Sequence, residues 1–106
     1  MIIDIKLESI TKNIVGTWYN PITKTTYRFN PFSNRGSSKI YLKQYGKKTC
    51  MELTYRIVIE ENLIWLELGG RKFKLSKFVF EPEPFLSFIT SSNKVIVLFK
   101  GYSRDF

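Results

Sequence analysis

The feature that most limits what this chain can fold into is a series of short segments in which apolar and polar side chains alternate. The clearest segment is MELTYRIVIE (51–60), whose odd-numbered positions are apolar or aromatic and are opposed by Glu52, Thr54 and Arg56. A period of two is typical of a β-strand with one buried and one solvated face. Turn-forming stretches separate these segments at 30–38, 45–48, 60–62, 69–70, 81–84 and 91–93.

About eight such segments follow one another with brief connections, which predicts an antiparallel meander. A sheet of this size can close on itself, because closure removes its unpaired edges. We therefore expect an all-β fold, a roughly eight-stranded antiparallel up-and-down barrel, in a single domain over residues 1–106. The length of 106 residues and the hydrophobic fraction of 43% suit one domain with its own core. An OB-like or other open barrel is the alternative, since one sequence does not reveal strand order.

The amino-terminal segment has a different period. Ile3, Leu7, Ile10 and Ile14 are spaced by four, three and four residues, which places them on one face of a helix. Asp4 stands where its carboxylate would cap the first turn. We expect a short amphipathic amino-terminal helix at roughly 4–12.

The segment IVGTWYN (14–20) joins this helix to the first strand. With the run of strands that follows, its Gly16 and Trp18 resemble the G-x-W signature of lipocalin-like (calycin) proteins, in particular the compact lipocalin-like domains of bacteria. The resemblance implies that Gly16 lets the helix pack tightly against the strand and that Trp18 closes the narrow end of the barrel. It also implies that a basic residue near the carboxyl end, Lys100 or Arg104, lies over the tryptophan. A plainer interpretation stays open, in which the glycine marks a tight junction and the tryptophan fills a core.

The resemblance also implies a function. A lipocalin-like barrel would be a non-enzymatic binding protein that holds a small apolar or amphipathic ligand. The expected ligand-binding lining consists of Tyr27, Phe29, Met51, Leu53, Tyr55, Ile57, Trp65 and Phe73. In a chain this short, the same residues would equally well form a filled core without a cavity.

Charge points to a different class of ligand. Seventeen lysines and arginines against nine acids give a formal net charge of +8, and such an excess favours contact with the phosphates of nucleic acids. Cations and tyrosines share one strand face in KIYLKQY (39–45), as on surfaces that stack the bases of single strands. The candidate nucleic-acid residues are Lys39, Tyr41, Lys43, Tyr45, Arg71, Lys72 and Lys74. A solvated basic surface is the alternative, because lysine on an exposed strand also prevents edge-to-edge pairing.

Three late segments, 63–68, 84–89 and 95–99, are apolar on both faces. In a lone barrel one face of each would meet water, so either Ile64, Leu66 and Leu68 or their alternates need cover. The amino-terminal helix would hide only part of this area. We therefore expect a homodimer or a protein partner over this sheet, and an interaction protein such as an inhibitor, immunity or assembly factor is the alternative function.

Residues suited to catalysis are scarce. The chain has no histidine and one cysteine, Cys50, so it cannot form a zinc site, a Cys–His pair or an internal disulfide. The close acidic pairs, Glu60 with Glu61 and Glu81 with Glu83, stand at predicted turns, where solvated acids are expected. We expect no enzymatic activity, no cofactor and no metal. The sequence has no apolar run of about 20 residues and no secretory pattern at its start, which favours a cytoplasmic protein without a membrane span.

Overall fold

A computed structural model describes residues 9–31, 38–79 and 83–101. Within these residues, eight antiparallel strands pair in chain order and the last pairs with the first, so the sheet is a closed barrel. The strands are β1 Gly16–Asn20, β2 Thr25–Phe29, β3 Ser38–Gln44, β4 Met51–Glu60, β5 Leu63–Leu68, β6 Arg71–Val79, β7 Phe85–Ile89 and β8 Val95–Lys100. The prediction of an all-β, eight-stranded antiparallel barrel is confirmed, and the open-barrel alternative is wrong.

Antiparallel order makes the connections alternate between the two ends of the barrel. The end that carries the amino-terminal helix is called the helix end below. The opposite end, called the open end, carries the connections 21–24, 45–50, 69–70 and 90–94. Two of the connections, 61–62 and 69–70, have only two residues each. Both residues of each connection adopt positive φ angles, as a two-residue turn that matches the strand twist requires.

The helix is described over 9–13. Its Ile10, together with Ile14 just beyond it, belongs to the hydrophobic core, as the helical spacing predicted. The remaining predicted helix residues, 4–8, lie outside the described residues, as do Ile3 and Arg104.

The inner face of the barrel forms one core. Its buried apolar residues are Ile10, Ile14, Trp18, Tyr27, Phe29, Ile40, Tyr55, Ile57, Leu66, Leu68, Leu86, Phe88 and Leu98. Aromatic rings meet edge to face, with centroids 4.9 Å apart for Phe29 and Tyr55. Edge-to-face pairs add about 0.5–1.5 kcal/mol to the stabilisation from burial alone.

Strand β5 shows which of its two apolar faces is the inner one. Leu66 pairs with Ile57 and is buried, whereas Trp65 pairs with Val58 and Lys74 on the outer face. The prediction that Trp65 lines the interior is therefore wrong. Its indole nitrogen donates to the Glu60 carbonyl at 3.3 Å. Alternation alone could not decide this point, because both faces of the strand are apolar.

Two local irregularities move side chains away from their simple strand positions. A bulge between Leu75 and Lys77 shifts the register of β6, so that Phe78 faces inward and packs against Trp18 with ring centroids 5.7 Å apart. Strand β3 ends at Gln44, so Tyr45 lies in the following turn and is exposed. The prediction that Tyr45 shares a strand face with Tyr41 is thus wrong.

Candidate functional site

The helix end of the barrel is closed by Trp18. This side chain is fully buried, and its indole nitrogen donates to the Ile14 carbonyl at 2.7 Å. The ammonium of Lys100 lies 5.5 Å from the centre of the Trp18 ring and donates to the Asn13 carbonyl at 2.8 Å. Strands β1 and β8 place these residues directly opposite one another. The predicted basic residue over the tryptophan is therefore Lys100, and its second bond ties the helix to the barrel.

Gly16 lies beside Lys100 at the same end of the barrel. Its φ angle is +131°, a conformation that L side chains rarely adopt. A Cβ atom at this position would lie 3.1 Å from the Cε of Lys100, and no atom of the described helix residues 9–13 lies within 4 Å of it. Within the described residues, glycine is therefore needed here so that the lysine can pass over the start of β1.

A cavity of about 520 Å³ occupies the open end. Its lining residues are Tyr27, Leu42, Met51, Leu53, Leu68, Gly69, Arg71, Phe73, Phe88, Thr90 and Ile96. Most of these side chains are apolar, and the volume is within the usual range of small-molecule sites, about 300–1,000 Å³. The barrel is therefore plugged at the helix end and hollow at the open end.

The eight predicted lining residues divide into three groups. Tyr27, Met51, Leu53 and Phe73 line the cavity. Phe29, Tyr55 and Ile57 also face inward, but they are buried nearer the helix end and are not among the cavity residues. Trp65 lies outside the barrel, as described above. Tyr55 is held in the core by a hydrogen bond from its hydroxyl to the Asn30 carbonyl.

Sequence reasoning missed Leu42, Leu68, Gly69, Phe88, Thr90 and Ile96 as lining residues, and it assigned Arg71 to a nucleic-acid surface. Leu42 could have been identified as an inward residue, because it alternates with Tyr41 and Lys43. Phe88 and Ile96 could not, since β7 and β8 are apolar on both faces.

Few polar groups reach the cavity. Burial raises the pKa of Tyr27, and no hydrogen bond contributes to that shift. The Thr90 hydroxyl lies 3.0 Å from that of Ser92 and accepts a bond from the Lys94 amide at 3.1 Å. Arg71 follows the 69–70 turn and stands opposite Leu68, which places it on the inner face at the rim. A ligand here would meet a largely apolar wall with polar groups near the opening.

The candidate nucleic-acid residues do not form one surface. Lys39, Tyr41 and Lys43 lie on the outer face of β3, whereas Lys72 and Lys74 lie on that of β6, with β4 and β5 between them. Lys39 pairs with Glu52 at 3.2 Å. Hydrogen bonds from Lys39 and Tyr41 hold the pKa of Glu52 below its ordinary value.

Ion pairs also neutralise one cation on β4 and one on β6. Arg56 pairs with Glu67 at 2.8 Å, and Lys72 pairs with Glu60. Arg71 faces the rim of the cavity instead of the outer surface. The basic residues singled out from the sequence are thus partly neutralised and partly separated.

Within residues 9–31, 38–79 and 83–101, no three His, Cys, Asp or Glu side chains are grouped so that they could hold a metal ion. Glu60 ends β4 and Glu61 lies in the exposed turn that follows it, and Glu81 lies outside the described residues. The same part of the chain contains no helix long and apolar enough to cross a membrane.

Comparison with known proteins assigns this chain to no family. No protein-family model matches the chain, and neither a curated protein nor a solved structure matches it. The closed eight-stranded barrel is compatible with a calycin-like fold.

Proposed function

We propose that this protein is a non-enzymatic binding protein of lipocalin-like type that holds a small apolar or amphipathic molecule in the open-end cavity. The observation that carries the proposal is the cavity of about 520 Å³ above a plugged barrel base. Only part of the inner face is used for packing, so apolar side chains such as Leu42, Leu53 and Phe73 border open space. A molecule that removed this apolar surface from water would bind favourably.

Native mass spectrometry of the gently purified protein, compared with the same sample after denaturing extraction, tests this proposal. We expect a small-molecule mass that is lost on denaturation. The stripped protein should then bind a fluorescent apolar probe, anilinonaphthalene sulfonate, in a saturable manner. A ligand-free spectrum combined with no saturable probe binding would refute the proposal.

Two neighbouring residues of β8 supply matched variants. Ile96 lines the cavity, whereas Val97 faces outward and pairs with Ser87. Ile96→Phe should fill part of the cavity and reduce probe binding, and Val97→Phe should leave it unchanged. Thermal unfolding of both variants controls for loss of the fold. Equal effects of the two substitutions would contradict a binding site inside the barrel.

A second candidate function, that of an interaction protein, is favoured by the outer face of β7 and β8. Phe99 and Val95 are exposed there, and Phe85, Ile89 and Val97 share their face. We define these five residues as the outer apolar patch. A closed barrel has no free strand edge, so a partner would have to cover this patch face to face.

The charges around the outer apolar patch indicate what kind of protein would bind. Lys74 and Lys77 stand opposite Ile89 and Ser87 on the neighbouring strand, and Lys94 precedes Val95. The acids within strands lie only on β4 and β5 among the eight strands described. We therefore propose a protein partner with an apolar contact centre and an acidic rim.

Binding to a purified partner, first identified by affinity capture, tests this second proposal. Phe99→Lys should abolish the interaction, Thr54→Lys on the exposed opposite side should preserve it, and added salt should weaken it.

Sedimentation of the protein alone measures whether it forms the predicted homodimer. Self-association that strengthens with salt would show that a second copy covers the patch. An oligonucleotide that is retained by the wild type and lost in Lys39→Glu with Lys43→Glu would favour nucleic acid instead. Either result would overturn the acidic-partner proposal.

A further inference from the structure

The connections at the open end of the barrel carry cations but no carboxylates. These four connections, 21–24, 45–50, 69–70 and 90–94, are fully described and contain no Asp or Glu. The cations there, together with the first residue of β6, are Lys24, Lys47, Lys48, Arg71 and Lys94. The acids Glu60, Glu61 and Glu83 lie at or beside connections of the helix end. Glu52 and Glu67 lie one residue inside strand termini at this end, but they are on the outer face and pair with Lys39 and Arg56. The groups described at the mouth of the cavity therefore carry a net positive charge.

Arg71 is the cation best placed to contact a bound molecule. It lies among the cavity-lining residues and begins β6 on the inner face, whereas the next residue, Lys72, points outward and pairs with Glu60. Arg71 makes no ion pair with any described residue. A guanidinium at the rim offers donors in a planar fork that suits carboxylate and phosphate oxygens.

A groove of about 310 Å³ extends the mouth towards a second cation. It shares Leu42 and Met51 with the cavity and is also lined by Lys47. Among the cavity-lining residues, the polar side chains other than Arg71 are those of Tyr27 and Thr90, which are few for a ligand that is polar throughout. An apolar body in the cavity and a charged head at the opening match the lining better.

We propose that the ligand is an amphipathic anion whose apolar body occupies the open-end cavity and whose carboxylate or phosphate head lies beside Arg71. This inference rests on the proposed binding function and adds the charge class of the ligand. Attraction to the lysines of the open-end connections speeds the approach of such a ligand. The same lysines repel a cationic amphiphile.

Calorimetric titration of the stripped protein with four twelve-carbon probes, each below its micelle concentration, tests the inference. The probes are dodecanoate, dodecyl phosphate, dodecan-1-ol and dodecyltrimethylammonium. One or both anions should bind tighter than the alcohol by about three- to tenfold, as expected for one charge-assisted contact at a partly exposed site. Raising NaCl from about 20 to about 300 mM should weaken the anions alone. The tighter of the two anions identifies the head group.

Arg71→Gln should remove the preference for anions and leave dodecan-1-ol binding within about twofold, whereas the matched control Lys72→Gln should change neither. If the alcohol or the ammonium probe binds the wild type as tightly as the anions, the charge inference is overturned while the cavity proposal stands. If none of the four probes binds, the cavity proposal itself fails. The head-group comparison uses the wild-type chain, so it does not depend on the folding of a variant.

Discussion

Replacing Lys100 with methionine tests whether the helix end is held by the contacts seen around Trp18. The methionine keeps most of the apolar stem of the lysine but removes its ammonium. Two interactions are lost, the contact with the Trp18 ring at 5.5 Å and the hydrogen bond to the Asn13 carbonyl at 2.8 Å. The substitution should therefore loosen both the seam between β1 and β8 and the attachment of the helix.

The size of the effect follows from these two contacts. A cation over an aromatic ring contributes about 0.5–2 kcal/mol, and a hydrogen bond from a charged donor about 1.5–3 kcal/mol. Lys100 is only half-buried, so the lower part of each range applies and the free energy of unfolding should fall by about 2 kcal/mol. At about 4–8 °C per kcal/mol for a domain of this size, Tm should fall by about 8–16 °C.

Urea unfolding monitored by tryptophan fluorescence, with Tm from circular dichroism, measures this loss. The control is Lys74→Met, because Lys74 is exposed on the outer face and makes no ion pair with a described residue. Its free energy of unfolding should stay within about 0.5 kcal/mol of the wild type. A loss for Lys100→Met as small as that of this control would refute a stabilising role for the two Lys100 contacts.

Three further substitutions give independent checks. Gly16→Ala forces a side chain into a positive φ angle beside Lys100, and urea unfolding should show a loss of about 1–3 kcal/mol; unchanged stability would contradict the strain. Thr26→Val replaces a buried hydroxyl that has no hydrogen-bond partner among the described residues. It should raise the free energy of unfolding by about 0.5–1 kcal/mol, whereas a loss would show that the hydroxyl is satisfied. Burial raises the pKa of Tyr27, so its contribution to stability is complete below the ordinary tyrosine pKa of about 10 and is lost as the pH rises above it. Tyr27→Phe should therefore lose less stability between about pH 9 and 12 than the wild type, and parallel pH profiles would contradict this prediction.

Much of the fold could be predicted because the signals are local. Alternation in 51–60 and the two-residue turns at 61–62 and 69–70 depend on neighbours along the chain. The resemblance carried by Gly16 and Trp18 then indicated which strands meet at the seam, and Lys100 is found there. The bulge in β6 gave no such signal, because no breaker residue marks it in the sequence.

The candidate site could be predicted only in part. Alternation identifies which side chains face inward, but it does not show how far along the barrel axis each one lies. Tyr27 and Phe29 are both inward residues of β2, yet one borders the cavity and the other is buried in the core. On β5 even the inward face was ambiguous, and Trp65 was assigned to the wrong side.

Spacing and turn chemistry in the sequence were enough to predict the strands and most of the inward residues, because these signals are local. The choice between a closed and an open barrel, and the places where the interior is filled or hollow, emerged only in the folded chain, because they depend on contacts between residues far apart in sequence. The helix, Trp18 and Phe78 fill the helix end, whereas Tyr27, Phe73 and the other lining residues at the open end border a cavity. Closure also arranges cations from distant parts of the chain, such as Lys24 and Arg71, around one opening, because the four connections at that end then surround the mouth of the barrel.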